Sequence, residues 1–284
     1  MICKLNIFLL RKDIQQWFEQ AVANPWITKY IMLGYAAKGT IYLFIGIIAV
    51  KAAFIDNYEA LGTHETLSFL SQQPLGKFFV CLLAIALNGY VLRRLFQTVL
   101  ASDKIDFWSI KHILKRFGYI LSGLSYASVS YSALNLVLEI DGYKNNLEDL
   151  AGQLLERPFG RWLILLTGVA VVAVGLSYLR GAFTGSYISD FQSEVLHHHI
   201  ERWAIYTGKI GVAARGIAFI LMGIFLMEAT IIGNSKLAGG LQNTLRTLAI
   251  IPLGWLWLSA IGLGMVCYGL YMYVVTIYRR YTIL

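Results

Sequence analysis

GYAAKGTIYLFIG, residues 34–46, begins a pattern that the chain uses three times. Its counterparts read GYILSGLSYASVS and GVAARGIAFILMG, at 118–130 and 211–223. After an almost constant interval each copy reaches a proline, one further residue and a glycine, at 74–76, 158–160 and 252–254. Self-similarity at a fixed period indicates that one structural unit has been used three times.

Each copy contains two apolar segments long enough to cross a bilayer, since about 20 apolar residues span the hydrocarbon core as a helix. Backbone polar groups in lipid must be satisfied within their own segment, which favours helices. The composition agrees, because 57% of the residues are hydrophobic and 14% are charged. We therefore predict an all-α membrane protein with six transmembrane helices, near 30–54, 76–98, 113–138, 160–182, 207–232 and 252–277.

The copies follow one another without a linker, so residues 1–284 are predicted to form one integral membrane domain. Its three two-helix repeats are 30–100, 113–184 and 207–278. An even number of spans brings successive copies into the membrane in the same direction. Parallel repeats of this kind are compatible with a pseudo-threefold axis along the membrane normal.

Basic residues define the predicted orientation. Most of the 24 lysines and arginines lie in the N-terminal segment, in the loops after the second and fourth spans, and at the C-terminus. Positive charge marks the cytoplasmic side, so both termini are predicted to be cytoplasmic. Residues 1–29 are then a cytoplasmic segment, in which the apolar spacing between Asp13 and Asn24 predicts an amphipathic helix. That helix would anchor to the membrane surface or, alternatively, dock a partner.

Paired leucines precede each proline and predict a short amphipathic helix in each outer loop. They are Leu67 and Leu70, Leu150 and Leu154, and Leu245 and Leu248. Proline is well tolerated at the start of a helix, so each proline is expected to end the loop and open the next span.

Small residues form a stripe along the first helix of each copy, where they predict close helix packing. The glycines in this stripe are Gly34, Gly39, Gly46, Gly118, Gly123, Gly211, Gly216 and Gly223. Four residues after the first glycine of each copy stand Lys38, Ser122 and Arg215. Snorkelling of the two cations toward phosphate head groups is expected, and a role in binding an anion or a lipid head is the alternative.

A second set of equivalent positions holds Lys51, Asn135 and Glu228. Ionisable groups inside a membrane are expensive and form a functional-site hypothesis by default. If this face turns inward, the set would form a buried ion pair or line a polar pathway. If it turns outward, the long side chains would snorkel to the outer interface.

Motifs for chemistry are mostly missing. The chain has no phosphate-binding loop and no dinucleotide fingerprint, and its cysteines, Cys3, Cys81 and Cys267, show no metal or redox spacing. The run His197, His198 and His199 is a weak metal candidate, because adjacent histidines on a helix point in different directions. We expect no enzyme activity, no catalytic residue, no cofactor and no metal. The net charge of +8 indicates topology and lipid contact rather than nucleic-acid binding.

The pairing of Gly34-Tyr35-Ala36-Ala37-Lys38-Gly39 with Pro74-Leu75-Gly76, used three times, resembles a bacterial membrane family, domain-of-unknown-function family 1206. Copy three matches through Gly211 to Gly216, whereas copy two has Ser122 where the basic residue is expected. The resemblance implies six spans in a bacterial inner membrane and implies no activity.

Two functions from different classes follow from the sequence. The first is a scaffold or accessory subunit that contacts membrane lipids and docks to other membrane proteins or to itself. The second is a channel or transporter for a small ion or solute, with a polar site between the repeats. The substrate, the partners and the oligomeric state are not encoded in any motif.

Overall fold

The computed structural model describes residues 20, 24–55, 59–100, 110–139, 147–188 and 198–278. Within these ranges the regular elements are helices: α1 (Pro25–Phe54), α2 (Thr63–Ser71), α3 (Gly76–Leu100), α4 (Ile110–Leu138), α5 (Leu147–Leu155), α6 (Pro158–Thr184), α7 (His198–Ile232), α8 (Gly240–Ile250) and α9 (Gly254–Tyr278). A short 3₁₀ turn, Ser235–Ala238, precedes α8. Nearly all of the predicted amphipathic helix between Asp13 and Asn24 lies outside the described residues.

Six long helices correspond to the six predicted apolar segments, and they are α1, α3, α4, α6, α7 and α9. Five of them are long and apolar enough to cross a membrane. The sixth, α4, is of similar length but is more polar, with Ser122, Ser125, Ser130, Ser132 and Asn135. Five such helices in one chain indicate a multi-pass membrane protein.

The short helices α2, α5 and α8 confirm that a short helix precedes each Pro-x-Gly turn. Leu67, Leu70, Leu245 and Leu248 are all buried. After each short helix the chain turns sharply, and the amide nitrogens of Gly76, Gly160 and Gly254 donate to the carbonyl three residues earlier, at 2.8, 2.9 and 2.8 Å.

Glycine is required at the end of this turn because the backbone of the short helix lies against it. A Cβ at Gly76 would collide with the carbonyl oxygen of Leu70, and the same collision recurs between Gly160 and Leu154 and between Gly254 and Leu248. In copies one and three the residue between the proline and the glycine lies in the left-handed region, Leu75 with φ 61° and Leu253 with φ 60°. The Pro-x-Gly signature is therefore a tight reversal that returns the chain into the bundle.

The long helices pack in a regular order. The first helix of each copy packs against the second helix of the preceding copy, which pairs α1 with α9, α4 with α3, and α7 with α6. In copies one and three the two helices of the copy also pack together, α1 on α3 and α7 on α9. Over the described residues α4 and α6 form no such packed pair, so the helices are arranged as an arc from α4 through α3, α1, α9 and α7 to α6.

Small residues form the contacts between copies. A Cβ at Gly46 would lie 2.6 Å from the carbonyl oxygen of Gly262, and one at Gly223 would lie 2.7 Å from that of Gly168. Gly39 approaches Gly269 and Gly216 approaches Gly175 in the same way. In copy two the equivalent contact is a hydrogen bond of 2.9 Å from Ser130 Oγ to the carbonyl of Ala84. These helices approach so closely because no side chain separates their backbones.

The first glycine of copy two, Gly118, is packed less closely than its equivalents in copies one and three. A Cβ at Gly34 would collide with the backbone of Tyr90 on α3, and one at Gly211 with the backbone of Tyr268 on α9. A Cβ at Gly118 would meet no other described residue within 4 Å, and one at Gly123 would lie 3.4 Å from the Cβ of Arg94. Gly118 therefore does not mark a close helix contact, because α6 is not packed on α4 at this level.

Candidate functional site

Lys38 and Arg215 lie inside the helix bundle. Only 2% of Lys38 and 4% of Arg215 is exposed. The prediction that the two side chains snorkel to the membrane surface is therefore wrong. The reason is that both share the helix face of the packing glycines, which contacts neighbouring helices. The structure brings these two equivalent positions of copies one and three into a common environment, the cation–tyrosine cluster, comprising Lys38, Arg94 and Arg215 with Tyr42, Tyr90, Tyr126, Tyr178 and Tyr268.

Lys38 lies among aromatic rings. Its Nζ donates to the hydroxyl of Tyr90 at 3.1 Å. The same atom lies 4.4 Å from the ring centre of Tyr90, 4.9 Å from that of Tyr126 and 5.6 Å from that of Tyr268. Cation–π contacts of this kind contribute about 0.5 to 2 kcal/mol each. The three rings come from α3, α4 and α9, so Lys38 contacts side chains from all three copies.

Arg215 is enclosed in the same way. Its guanidinium donates to the hydroxyl of Tyr268 and, at 3.4 Å, to that of Tyr126. Four aromatic rings lie about 5 Å from the guanidinium carbon: those of Tyr42, Tyr178, Phe219 and Tyr268. Tyr126 also donates to the hydroxyl of Tyr42 at 3.3 Å. The tyrosines therefore link the surroundings of Arg215 to those of Lys38.

Arg94 is a third cation at the cluster, and its Nε donates to the Tyr90 hydroxyl at 2.8 Å. Its Nη1 donates to Gln97 at 2.9 Å. Arg94, Tyr90 and Tyr268 are not among the site residues predicted from the sequence. One sequence signal would have found the two tyrosines: they stand at the same distance after Pro74 and Pro252.

Ser122 completes the set of equivalent positions. Its Oγ lies 3.3 Å from the hydroxyl of Tyr90. Lys38, Ser122 and Arg215 therefore all border the cluster, and copy two supplies a hydroxyl where the other two copies supply a charge. The result is a site made by all three repeats, with unequal contributions.

No carboxylate among the described residues pairs with the cluster. The ion pairs among the described residues lie outside the cluster: they are Lys77 with Glu139 and Arg246 with Glu59, and both are exposed. The buried Nε of Arg215 has no hydrogen-bond acceptor within the described part of the chain. Lysine offers three donors and arginine five, and neither offers an acceptor. The arrangement is therefore positively charged and has more donors than the tyrosine oxygens can accept, which suits an anion.

Lys51, Asn135 and Glu228 are not brought together in an ion pair. Lys51 is exposed and Glu228 is half-buried, and the described residues contain no salt bridge between them. Asn135 is 6% exposed, and its amide nitrogen has no hydrogen-bond partner among the residues described. The idea of a polar pathway through this set stays a prediction, without the ion pair.

The other candidate groups remain separate from the cluster. Among the described residues no three histidines, cysteines or carboxylates are grouped as metal ligands. His197 lies outside the described residues, and α7 begins at His198, followed by His199. Cys81 and Cys267 are free thiols, and Cys3 lies outside the described part.

One open cleft lies elsewhere, against α6 and the last turns of α7. Its lining residues are Glu156, Arg161, Trp162, Leu165 and Thr230. Arg161 in this cleft is engaged by the backbone, since its Nε donates to the carbonyl of Leu155 at 3.0 Å. The cleft shares no residue with the cation–tyrosine cluster and adds nothing to its chemistry.

Comparison with known proteins supports the repeat and gives no activity. An uncharacterized protein, YxxB of Bacillus subtilis (strain 168), is 26% identical over 259 residues, covering 91% of this chain and 94% of that protein. No solved structure matches the chain. A model of the family described as Domain of Unknown Function (DUF1206) matches three times, at residues 33–101, 117–185 and 210–279. The chain is therefore a member of the DUF1206 family.

Proposed function

We propose that this protein is a six-span protein of the bacterial inner membrane, with both termini in the cytoplasm, that binds an anion at the cation–tyrosine cluster between its three repeats. One observation carries the proposal. Two cations, Lys38 and Arg215, are almost completely buried in an apolar bundle and have no carboxylate partner within the described residues.

The energetic argument is that buried charge requires compensation. Removing an ion from water costs several kcal/mol even after relaxation of the protein. Tyrosine rings and hydroxyls offset part of this cost. Lys38 and Arg215 both contact Tyr126 and Tyr268, so the two cations are close enough to repel each other. A bound anion would supply the missing charge and accept the open N–H groups.

The depth of the cluster fits a membrane site. Arg94 lies six residues before the end of α3, about 9 Å along the helix axis. In the proposed orientation this is the cytoplasmic half of the bundle. An anion at this depth would be reached from the cytoplasmic face or from the bilayer.

This proposal develops the second of the two expectations, a protein that handles a small ion or solute, and specifies an anion. The first, a scaffold or accessory subunit, has no specific surface in its favour. The exposed apolar side chains of the long helices, such as Trp162 and Trp203, are what lipid contact alone requires.

Thermal unfolding of the detergent-purified protein tests the proposal, with inorganic phosphate as the probe and chloride at equal ionic strength as the reference. A ligand that binds the native state raises the melting temperature in a saturable manner. We expect this rise in the native sequence and in Lys51→Met, and no rise in Lys38→Met. Lys51 is a matched control because it is a lysine on the same helix with an exposed side chain.

Two results would overturn anion binding at this site. The first is that phosphate gives the native sequence no more stabilisation than chloride does. The second is that Lys38→Met keeps the full response.

A further inference from the structure

We propose that the anion is the phosphate head of a membrane lipid, which enters sideways from the bilayer between α4 and α6. This inference rests on the proposed function, because it names the source of the anion that the cation–tyrosine cluster binds. It is argued from the break in the helix arc, from the residues that lead from the break to the cluster, and from the apolar surface around it.

The break is specific to copy two. In copies one and three the first glycine of the copy, Gly34 or Gly211, lies against the backbone of the second helix. The equivalent glycine, Gly118, has no other residue of the described ranges within 4 Å of its Cβ position. Only 17% of the apolar window of α6 is buried, against 61% of that of α1. Over the described residues the bundle is therefore open between α4 and α6.

Side chains on both sides of the opening belong to the cluster. On α4, Ser122 contacts the hydroxyl of Tyr90 at 3.3 Å and Tyr126 accepts from Arg215 at 3.4 Å. On α6, the ring of Tyr178 lies 4.8 Å from the guanidinium carbon of Arg215. A head group between these two helices would reach the buried cations without crossing another helix.

Copy two has smaller residues where the other copies close. In copy two, Ser122 stands at the position equivalent to Lys38 and Arg215, and Val174 stands at the position equivalent to Tyr90 and Tyr268. The charge and the ring that fill the interior of copies one and three are thus both replaced on the side where α4 and α6 separate. This difference gives the opening a chemical asymmetry as well as a geometric one.

The outer surfaces of both helices are apolar. Leu121 and Leu124 on α4 are exposed, as are Leu166, Val169 and Leu176 on α6. Acyl chains can lie against such a surface at the same cost as against other lipids, whereas a free hydrated phosphate gains nothing there. A lipid satisfies both parts of the arrangement, because its phosphate reaches the cations while its chains stay in the bilayer.

Native mass spectrometry of the full-length protein tests this inference. Delipidated protein is supplied with phosphatidylglycerol or, separately, with phosphatidylcholine. We expect at least tenfold higher occupancy by phosphatidylglycerol in the native sequence. Occupancy should be lost in Lys38→Met, which removes a cation, and in Gly118→Trp, which fills the opening.

Leu263→Trp is the control for added bulk, because Leu263 is exposed on α9 away from the opening. It should keep the lipid. A photoactivatable phosphatidylglycerol gives a second readout that needs no variant to fold, and its cross-links are expected in α4 and α6.

The outcomes separate the two proposals. If phosphate stabilises the protein through Lys38 but no phosphatidylglycerol is retained, the lipid inference fails and anion binding stands. If neither probe depends on Lys38, both fail. Three results would each overturn lateral entry. The first is that Gly118→Trp retains the lipid, and the second is that the cross-links are confined to other helices. The third is that the protein forms a lipid-free dimer that Gly118→Trp dissociates.

Discussion

The hydroxyl oxygen of Tyr90 accepts a hydrogen bond from the Nζ of Lys38 at 3.1 Å, across the interface between α1 and α3. The same oxygen accepts from Nε of Arg94 at 2.8 Å. One phenol oxygen is therefore shared by two basic side chains in a buried position. This relationship makes Tyr90 a hydrogen-bond acceptor that joins Lys38 and Arg94 within the cation–tyrosine cluster.

Replacement of Tyr90 by phenylalanine should destabilise the protein. Tyr90→Phe keeps the ring but removes the acceptor that Lys38 and Arg94 share, and an unsatisfied buried donor costs about 1 to 3 kcal/mol. Chemical denaturation of the purified protein in mixed micelles measures the loss. Tyr206→Phe, at an exposed tyrosine of α7, is the control and should leave the free energy of unfolding unchanged. An equal effect of the two changes would contradict the role of the Tyr90 hydroxyl.

Lys38→Met should separate stability from binding. In the absence of an added anion, removal of an uncompensated buried charge is expected to leave the melting temperature unchanged or to raise it, since well-packed apolar replacements of buried charges are often neutral or stabilising. With phosphate present, the native sequence should gain stability and the variant should not. A large loss of stability in the variant without an anion would indicate that tyrosines alone compensate the charge.

The glycines at the helix contacts should respond unequally to substitution. Gly46→Leu should prevent the close approach of α1 and α9, because its Cβ would lie 2.6 Å from the carbonyl oxygen of Gly262. Gly118→Leu introduces the same side chain where the space is open and should keep the fold. Size-exclusion profiles and melting temperatures in detergent measure both. Equal damage at the two positions would mean that α4 and α6 are in fact packed.

His64, on the outer-loop helix α2, should make stability depend on pH. Burial lowers the pKa of His64 below its ordinary value of 6.5. The unfolded chain therefore takes up the proton first as the pH falls, so the stability that is present above about pH 6.5 is lost progressively below it. His64→Gln should remove this part of the pH dependence. Melting temperatures of the two proteins between pH 5 and pH 8 check it, and parallel curves would refute it.

A large part of the fold follows from local sequence. The repeated glycine stripe, the apolar segments and the Pro-x-Gly turns locate six long and three short helices, because hydrophobic length and turn chemistry act over neighbouring residues. The stripe also predicts which face of α1 and α7 packs closely. The burial of Lys38 and Arg215 was not predicted: snorkelling was expected, although both residues share the face that carries Gly34 and Gly211.

The sequence by itself determined the three-copy plan, the small-residue face of each first helix, and the helix boundaries to within five residues except at the start of α7, which lies nine residues before the predicted 207. Only the tertiary structure decided that Lys38 and Arg215 share one tyrosine-lined interior and that copy two, within the described part of the chain, stays open at Gly118. The physical reason is that helical periodicity states which residues share a face, whereas the partner of that face depends on packing between distant segments. A lysine that snorkels and a lysine that points into a bundle have the same local pattern, and the neighbouring helices decide between them.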